Sequence, residues 1–223
     1  MKYLIKFTLI AFLIFSFPIV TKAQVYNWAR LGSFNHIAGA YTGLNYGLIY
    51  GLHYGKIITN RKTTWIPFAD VSSPAGAEIL DDFKVKVGTS VSILQLKKWK
   101  LITDISIFNQ QNQNPLSKMQ SIGFESGLQF GFYKERWFLG ANFSNAYAFA
   151  THIKHAKGYL DNYTGAVNGW YKHTANNLSI GLNTGYSFKR FDMTLSPGII
   201  KTDGFRSSPS LPFYGKIGVN YKF

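Results

Sequence analysis

Apolar residues recur at every second position along most of this chain, in runs of about ten. Residues 44–55 put Leu44, Tyr46, Leu48, Tyr50, Leu52 and Tyr54 on one side, against Asn45, Gly47, Ile49, Gly51, His53 and Gly55 on the other. The same period returns over 83–93, 99–107, 122–133, 137–149, 178–188, 191–199 and 211–223. A period of two marks β-strands, whose successive side chains leave opposite faces. Strands of about 9–11 residues are long enough to cross a bilayer.

Charge sharpens the pattern. Within these runs Lys84, Lys86, Lys100, Asp104, Glu125, Asp192, Lys216 and Lys222 all fall on the less apolar side. A charge facing lipid costs up to about 2–4 kcal/mol at the midplane of a membrane barrel. A soluble ligand-carrying barrel has the reverse logic, apolar inside and polar outside, and needs no such exclusion. Nearly all strand glycines share the parity of the charges. Glycine weakens a strand, but it makes room where side chains converge on a narrow bore. Charged residues are only 15% of the chain and aromatics reach 17%. A soluble domain carries about 25% charged residues. The expectation is a closed antiparallel transmembrane β-barrel, all-β, an up-and-down meander with a narrow lumen.

The first segment reads as a signal for export. Lys2 and Lys6 precede an apolar stretch from Phe7 to Val20, and Thr21-Lys22-Ala23 supplies small residues before a cut. Residues 1–23 are therefore expected to be a signal peptide, with the barrel domain over 24–223 beginning at Gln24. The apolar stretch is short for a membrane helix, and no later run approaches that length. With no cysteine in the chain there is neither a disulfide nor a lipidated N-terminal cysteine. The formal charge of +14 becomes +11 on the mature chain, from 21 basic and 10 acidic residues. The basic residues are scattered, which argues against nucleic acid. They suit the phosphates of anionic lipid headgroups or lipopolysaccharide.

Short basic connections followed by aromatics mark one end of the barrel: Lys97-Lys98 before Trp99, Lys134-Glu135-Arg136 before Trp137, Lys189-Arg190 before Phe191, and Asn60-Arg61-Lys62 before Trp65. The aromatics suit the headgroup level. Longer polar connections are expected over 73–82, 109–120, 151–176 and 203–210, facing outside, with the short turns facing the periplasm. Four short turns imply ten strands. That count requires a strand near 64–71, interrupted by Pro67, and a first strand within 28–41. Without those two the barrel has eight.

The chain ends Lys216-Ile-Gly-Val-Asn-Tyr-Lys-Phe223. This resembles the C-terminal β-signal of Gram-negative outer-membrane barrels, with Lys216, Gly218, Tyr221 and Phe223 in its four roles. The resemblance covers 24–223 at the level of fold and is to small outer-membrane barrels as a class. It implies recognition by the barrel-assembly machinery and residence in the outer membrane, but no activity.

Candidate chemistry is sparse. The inward charges form either an ion-pair network filling a closed bore or the selectivity lining of a narrow pore. A small barrel favours the first. Some small outer-membrane barrels modify lipids, so His53 is a candidate base, with Ser90 or Ser92 as nucleophile and Glu125 as orienter. The lipid A deacylases of this class carry a His-x-Ser motif, and none of the five histidines here has Ser at that spacing. The segment 151–176 holds His152, Lys154, His155, Lys157, Lys172 and His173, a cationic set suited to lipopolysaccharide phosphates. His152 and His155 are spaced as a metal pair would be on a helix, but no third ligand is evident and no metal or other cofactor is expected. Tyr159, Tyr163, Trp170 and Tyr171 would pack over the barrel mouth. Asp81-Asp82 reads first as a solvated strand boundary. The leading expectation is a non-catalytic outer-membrane barrel whose loops bind lipopolysaccharide, a partner or a small ligand. A narrow channel for small solutes comes second, and a lipid-modifying enzyme third.

Overall fold

The computed structural model describes residues 25–45, 47–60, 63–76, 81–203 and 211–223. The expected signal peptide, Gln24, Tyr46 and the Arg61-Lys62 turn lie outside these described residues. Ten strands form a closed antiparallel ring. They are β1 (His36–Leu44), β2 (Leu48–Lys56, continued by Ile58–Asn60), β3 (Thr63–Pro74), β4 (Phe83–Leu96), β5 (Trp99–Asn114), β6 (Ser117–Tyr133), β7 (Trp137–His155), β8 (Gly169–Phe188), β9 (Phe191–Asp203) and β10 (Phe213–Lys222). The two pieces of β2 keep a single register against β3, so they make one stave. Each strand pairs with its sequence neighbours, and β1 closes the ring on β10 from Ile37 opposite Lys222 to Leu44 opposite Gly215. A ring of ten exchanges every backbone hydrogen bond with a neighbour and leaves no edge, which hydrocarbon demands.

The outer surface follows the alternation. Leu52, Val87, Ile105, Ile107, Leu139, Ile180, Leu182, Met193, Ile199 and Ile217 are all exposed outward. The outward charges on the strands, Lys56, Lys118, Lys154, Lys172 and Lys201, stand near strand ends, away from this band. At the short-turn end, aromatic rings form a belt. Tyr54, His36, Phe223, Tyr221, Phe191 and Phe188 contact one another in that order, with centroids 5.0–5.8 Å apart. Trp99 stacks on Phe130 at 5.0 Å, and Phe132 meets Trp137 at 5.6 Å. The Lys134 ammonium lies 5.1 Å from the Trp137 ring. Amphipathic rings at this level match the interface between hydrocarbon and headgroups.

Four sequence expectations need correction. The first strand begins at His36, and residues 25–35 are not strand, apart from a short turn of 3-10 helix at Leu31–Ser33. The run 44–55 is divided by a turn at 45–47; a three-residue turn keeps Leu44 and Leu48 directly paired, so the alternation passes through it unbroken. The segment 109–120 is not a long loop. Pairing of β5 with β6 continues to Asn114 opposite Ser117, leaving only Pro115 and Leu116 to turn. Likewise 151–176 shrinks to a connection over 156–168 carrying the short helix α1 (Lys157–Asn162). The polar composition of these segments suits loops, but a hairpin satisfies its own backbone outside the membrane. Strands β5 to β8 therefore rise as a wall of 16 to 20 residues per strand, against 9 and 10 in β1 and β10.

Candidate functional site

The interior is built in two tiers. Next to the short turns much of the inward lining is apolar, with Ile37, Ile57, Ile66, Ile102, Tyr133 and Phe138, broken by Lys100, Ser187 and the Asp192–Lys222 pair. Into this socket runs the segment before β1, with Tyr26, Trp28 and Leu31 at 0%, 3% and 1% exposure. Each such side chain contributes about 1.5–3 kcal/mol by leaving water. Polar anchors fix the segment. The Asn27 amide donates to Lys134 O at 2.9 Å and to Ser187 Oγ at 2.8 Å, and its backbone N–H reaches Asp192 at 3.4 Å. Lys100 Nζ donates to Trp28 O at 3.0 Å, and Asn220 Nδ2 to Val25 O at 2.8 Å. Residues 28–35, within the range expected to hold the first strand, thus belong to a plug.

Above the plug lies a belt of charge. Lys84 pairs with Glu125. Lys86 Nζ lies 3.6 Å from Asp70 Oδ1 and 3.4 Å from Glu125 Oε2. Tyr41 Oη donates to Asp70 at 3.1 Å, Ser90 Oγ donates to Asp104, and Lys222 Nζ donates to Asp192 at 2.6 Å. These groups are almost wholly buried, so mutual pairing is what makes their burial tolerable. Asp70 was not among the sequence candidates, because Pro67 obscured the faces of its strand. The cross-strand row His53, Asp70, Lys86 was the available signal. Gln129, Ser144, Glu125 and Asn183 have at most 1% exposure, so no water-wide path passes these inward positions.

The proposed catalytic group is not assembled. The His53 ring meets Asn220, Tyr26 at 5.6 Å and Tyr41 at 6.3 Å rather than a serine or a carboxylate. Ser90 is committed to Asp104, and Glu125 to the two lysines. Ser90 also lies four residues along β4 from Lys86, the row of His53, about 13 Å at strand rise. A relay from carboxylate through imidazole to hydroxyl needs hydrogen-bond reach that this arrangement lacks.

The wall separates the cationic set by face. Thr151 and Ser121 point inward and hydrogen-bond at 2.9 Å. Their strand neighbours His152, Lys154, Lys118 and Gln120 therefore point outward. Lys118 stands directly opposite Lys154, and His152 opposite Trp170, with rings 5.2 Å apart. Lys172 lies on the same face, opposite Ala150, four residues along β7 from Lys154. His173 contacts Tyr147, and His155 turns the other way to stack on Tyr159 at 5.2 Å. His152 and His155 are strand residues on opposite faces, which rules out the shared metal pair; no group of three potential metal ligands occurs among the described residues. Lys157 starts α1. Trp170 is 61% exposed on the outside rather than over the mouth, whereas His155, Tyr159, Tyr163 and Tyr171 line one recess. Asp81 and Asp82 tie the rim: Gln111 donates to Asp81 O, and the Gln113 N–H to Asp82 Oδ1.

No protein-family model matches the chain, and no curated protein matches it. Solved structures similar in fold include a KdgM porin, with 9% identity, TM-score 0.43, and coverage of 84% of this chain and 99% of that one. The KdgM porin in complex with disordered oligogalacturonate gives 8% identity, TM-score 0.42 and the same coverage. The β domain of the Bordetella autotransporter BrkA gives 12% identity, TM-score 0.43, and 85% and 99% coverage.

Proposed function

We propose that this chain is an integral outer-membrane β-barrel, without catalysis, that holds the phosphates of lipopolysaccharide against the outward face of its β6–β8 wall. One observation carries this reading: Lys118 and Lys154 oppose each other across a strand pair beyond the exposed apolar band, with Lys172 on the same face past the His152–Trp170 pair. Like charges directly opposite are destabilising by themselves. An anion bridging them turns that repulsion into charge-assisted hydrogen bonding. Trp170 and His152 supply an amphipathic surface at the same level. The barrel is purified with bound lipid and examined by native mass spectrometry. The triple change Lys118→Gln, Lys154→Gln and Lys172→Gln should lower co-purifying lipopolysaccharide at least severalfold while leaving zwitterionic phospholipid unchanged. Equal retention by the variant would remove the proposal.

A second reading, a narrow channel held shut, is favoured by the plug. Tyr26, Trp28 and Leu31 belong to a segment inside the bore that is not itself a stave of the wall and runs on into β1. Planar-bilayer recording tests it. The intact chain should be electrically silent, and because the charged belt also closes the bore, discrete conductance steps should appear when deletion of 25–34 is combined with Glu125→Ala. Silence in the folded combined variant would leave the lipid-binding reading alone.

A further inference from the structure

Within the bore, above the plug, is a partly open recess of about 50 Å³ lined by His53, Lys86, Asn183, Tyr214, Lys216 and Asn220. A water needs about 10–15 Å³ of such volume, so the space accepts a group of a few heavy atoms. We propose that it is a binding site for one small oxyanion, a carboxylate or a phosphate, held between Lys216 and His53.

The charge inventory carries the argument. The bore carboxylates are engaged: Glu125 by Lys84 and Lys86, Asp70 by Lys86 and Tyr41, Asp192 by Lys222, and Asp104 by Ser90. Lys216 enters none of the ion pairs among the described residues, and its ammonium lies 4.9 Å from the centre of the Tyr41 ring. An aromatic face attracts a cation but does not neutralise it. Lys84, Lys86 and the half-buried Lys216 outnumber the neighbouring Asp70 and Glu125 by one positive charge, which a bound anion would balance.

Unspent donors point to the same space. His53 is 7% exposed, and Asn220 engages one ring nitrogen, which leaves the other without a partner. Asn183 Oδ1 accepts from Asn142 Nδ2 at 2.7 Å and from Ser196 Oγ at 2.6 Å, which leaves its Nδ2, also buried, with no partner. Asn142 is itself fixed by Tyr214 Oη at 2.9 Å. A buried polar group without a partner costs about 1–3 kcal/mol, and a native structure needs a reason for each. An oxyanion answers all three, accepting from an ammonium, an imidazole N–H and an amide. Small residues keep the room for it. A Cβ at Gly39 would strike the His53 ring and Asn220, and one at Gly198 would strike the Tyr214 ring.

The site needs only the closed bore, so failure of the lipid-binding reading does not touch it. The full barrel, refolded in detergent, is titrated by calorimetry with sodium formate and, separately, with inorganic phosphate at constant ionic strength. The two titrations distinguish a carboxylate site from a phosphate site. Saturable one-to-one binding of either anion is expected. Folded Lys216→Met should lose about tenfold or more in affinity, the equivalent of one charge-assisted hydrogen bond. His53→Phe should weaken binding less, and Lys97→Met, on a short turn, should bind as the parent does. Folding is checked by heat-modifiable gel migration, and Asn183→Ala serves as the readout if Lys216→Met does not fold. No saturable heat with either anion, or undiminished affinity in a folded Lys216→Met or Asn183→Ala, would overturn the assignment.

Discussion

The two tiers of the bore solve one problem by opposite means. Next to the short turns, the inward ring of Ile37, Ile66, Ile102 and Phe138 is apolar and is filled by a separate piece of chain carrying Tyr26, Trp28 and Leu31. Above it the ring is charged and fills itself, with Lys84, Lys86, Asp70 and Glu125 meeting across the axis. The apolar tier tolerates loss of a group by leaving a void. The charged tier cannot lose one partner without stranding the other. The difference teaches that a barrel interior need not be uniformly polar, and that the tiers should respond differently to the same kind of truncation.

The strongest way to break the comparison is Glu125→Ala, which leaves both Lys84 and Lys86 undercompensated. A loss of about 3–5 kcal/mol is expected for breaking a buried pair, read from urea unfolding in detergent; a midpoint equal to the parent's would mean the belt carries no stability. In the apolar tier Leu31→Ala should cost about 2–5 kcal/mol, set by how far the plug can collapse around the gap, and the same unfolding series measures it. The comparison sharpens with Asp192 and Lys222, which join the two tiers because Asp192 also accepts from Asn27. Asp192→Asn together with Lys222→Met should cost less than either change alone, since neutralising a whole pair removes the stranded charge. Additive losses in that double-mutant cycle would contradict it. Last, Ser144→Ala removes the hydroxyl contact to Ser179 and should cost about 1 kcal/mol.

How much of this could be read from the chain depends on what each residue must avoid. Alternation alone puts Lys84, Lys86, Lys100, Asp104, Glu125 and Asp192 on one side, because hydrocarbon expels charge, and the ring turns that side to its axis. The ten strands followed from the four basic turns. Asp70 was hidden because Pro67, exposed on the outward face of β3, breaks the local strand signal without breaking the strand. The plug is not legible in the chain: a first strand is expected within 28–41, and only the packing of Trp28 and Leu31 inside the ring shows that residues before His36 lie in the bore. The height of the wall escaped because an Asn- and Gln-rich sequence such as 109–114 looks like a loop until its partner strand is known. Lys118 went unnoticed for the same reason: only the register with Lys154 makes it part of a site.

Several side-chain contacts in the bore skip over intervening strands. Tyr41 on β1 reaches Asp70 on β3, Lys86 on β4 reaches Glu125 on β6, and Tyr214 on β10 reaches Asn142 on β7. Such chords act as the spokes of a wheel. A hollow tube held only at its circumference flattens easily under sideways load, whereas a spoked one keeps a round section. The lateral pressure of a lipid bilayer therefore meets resistance from the hub as well as from the hoop.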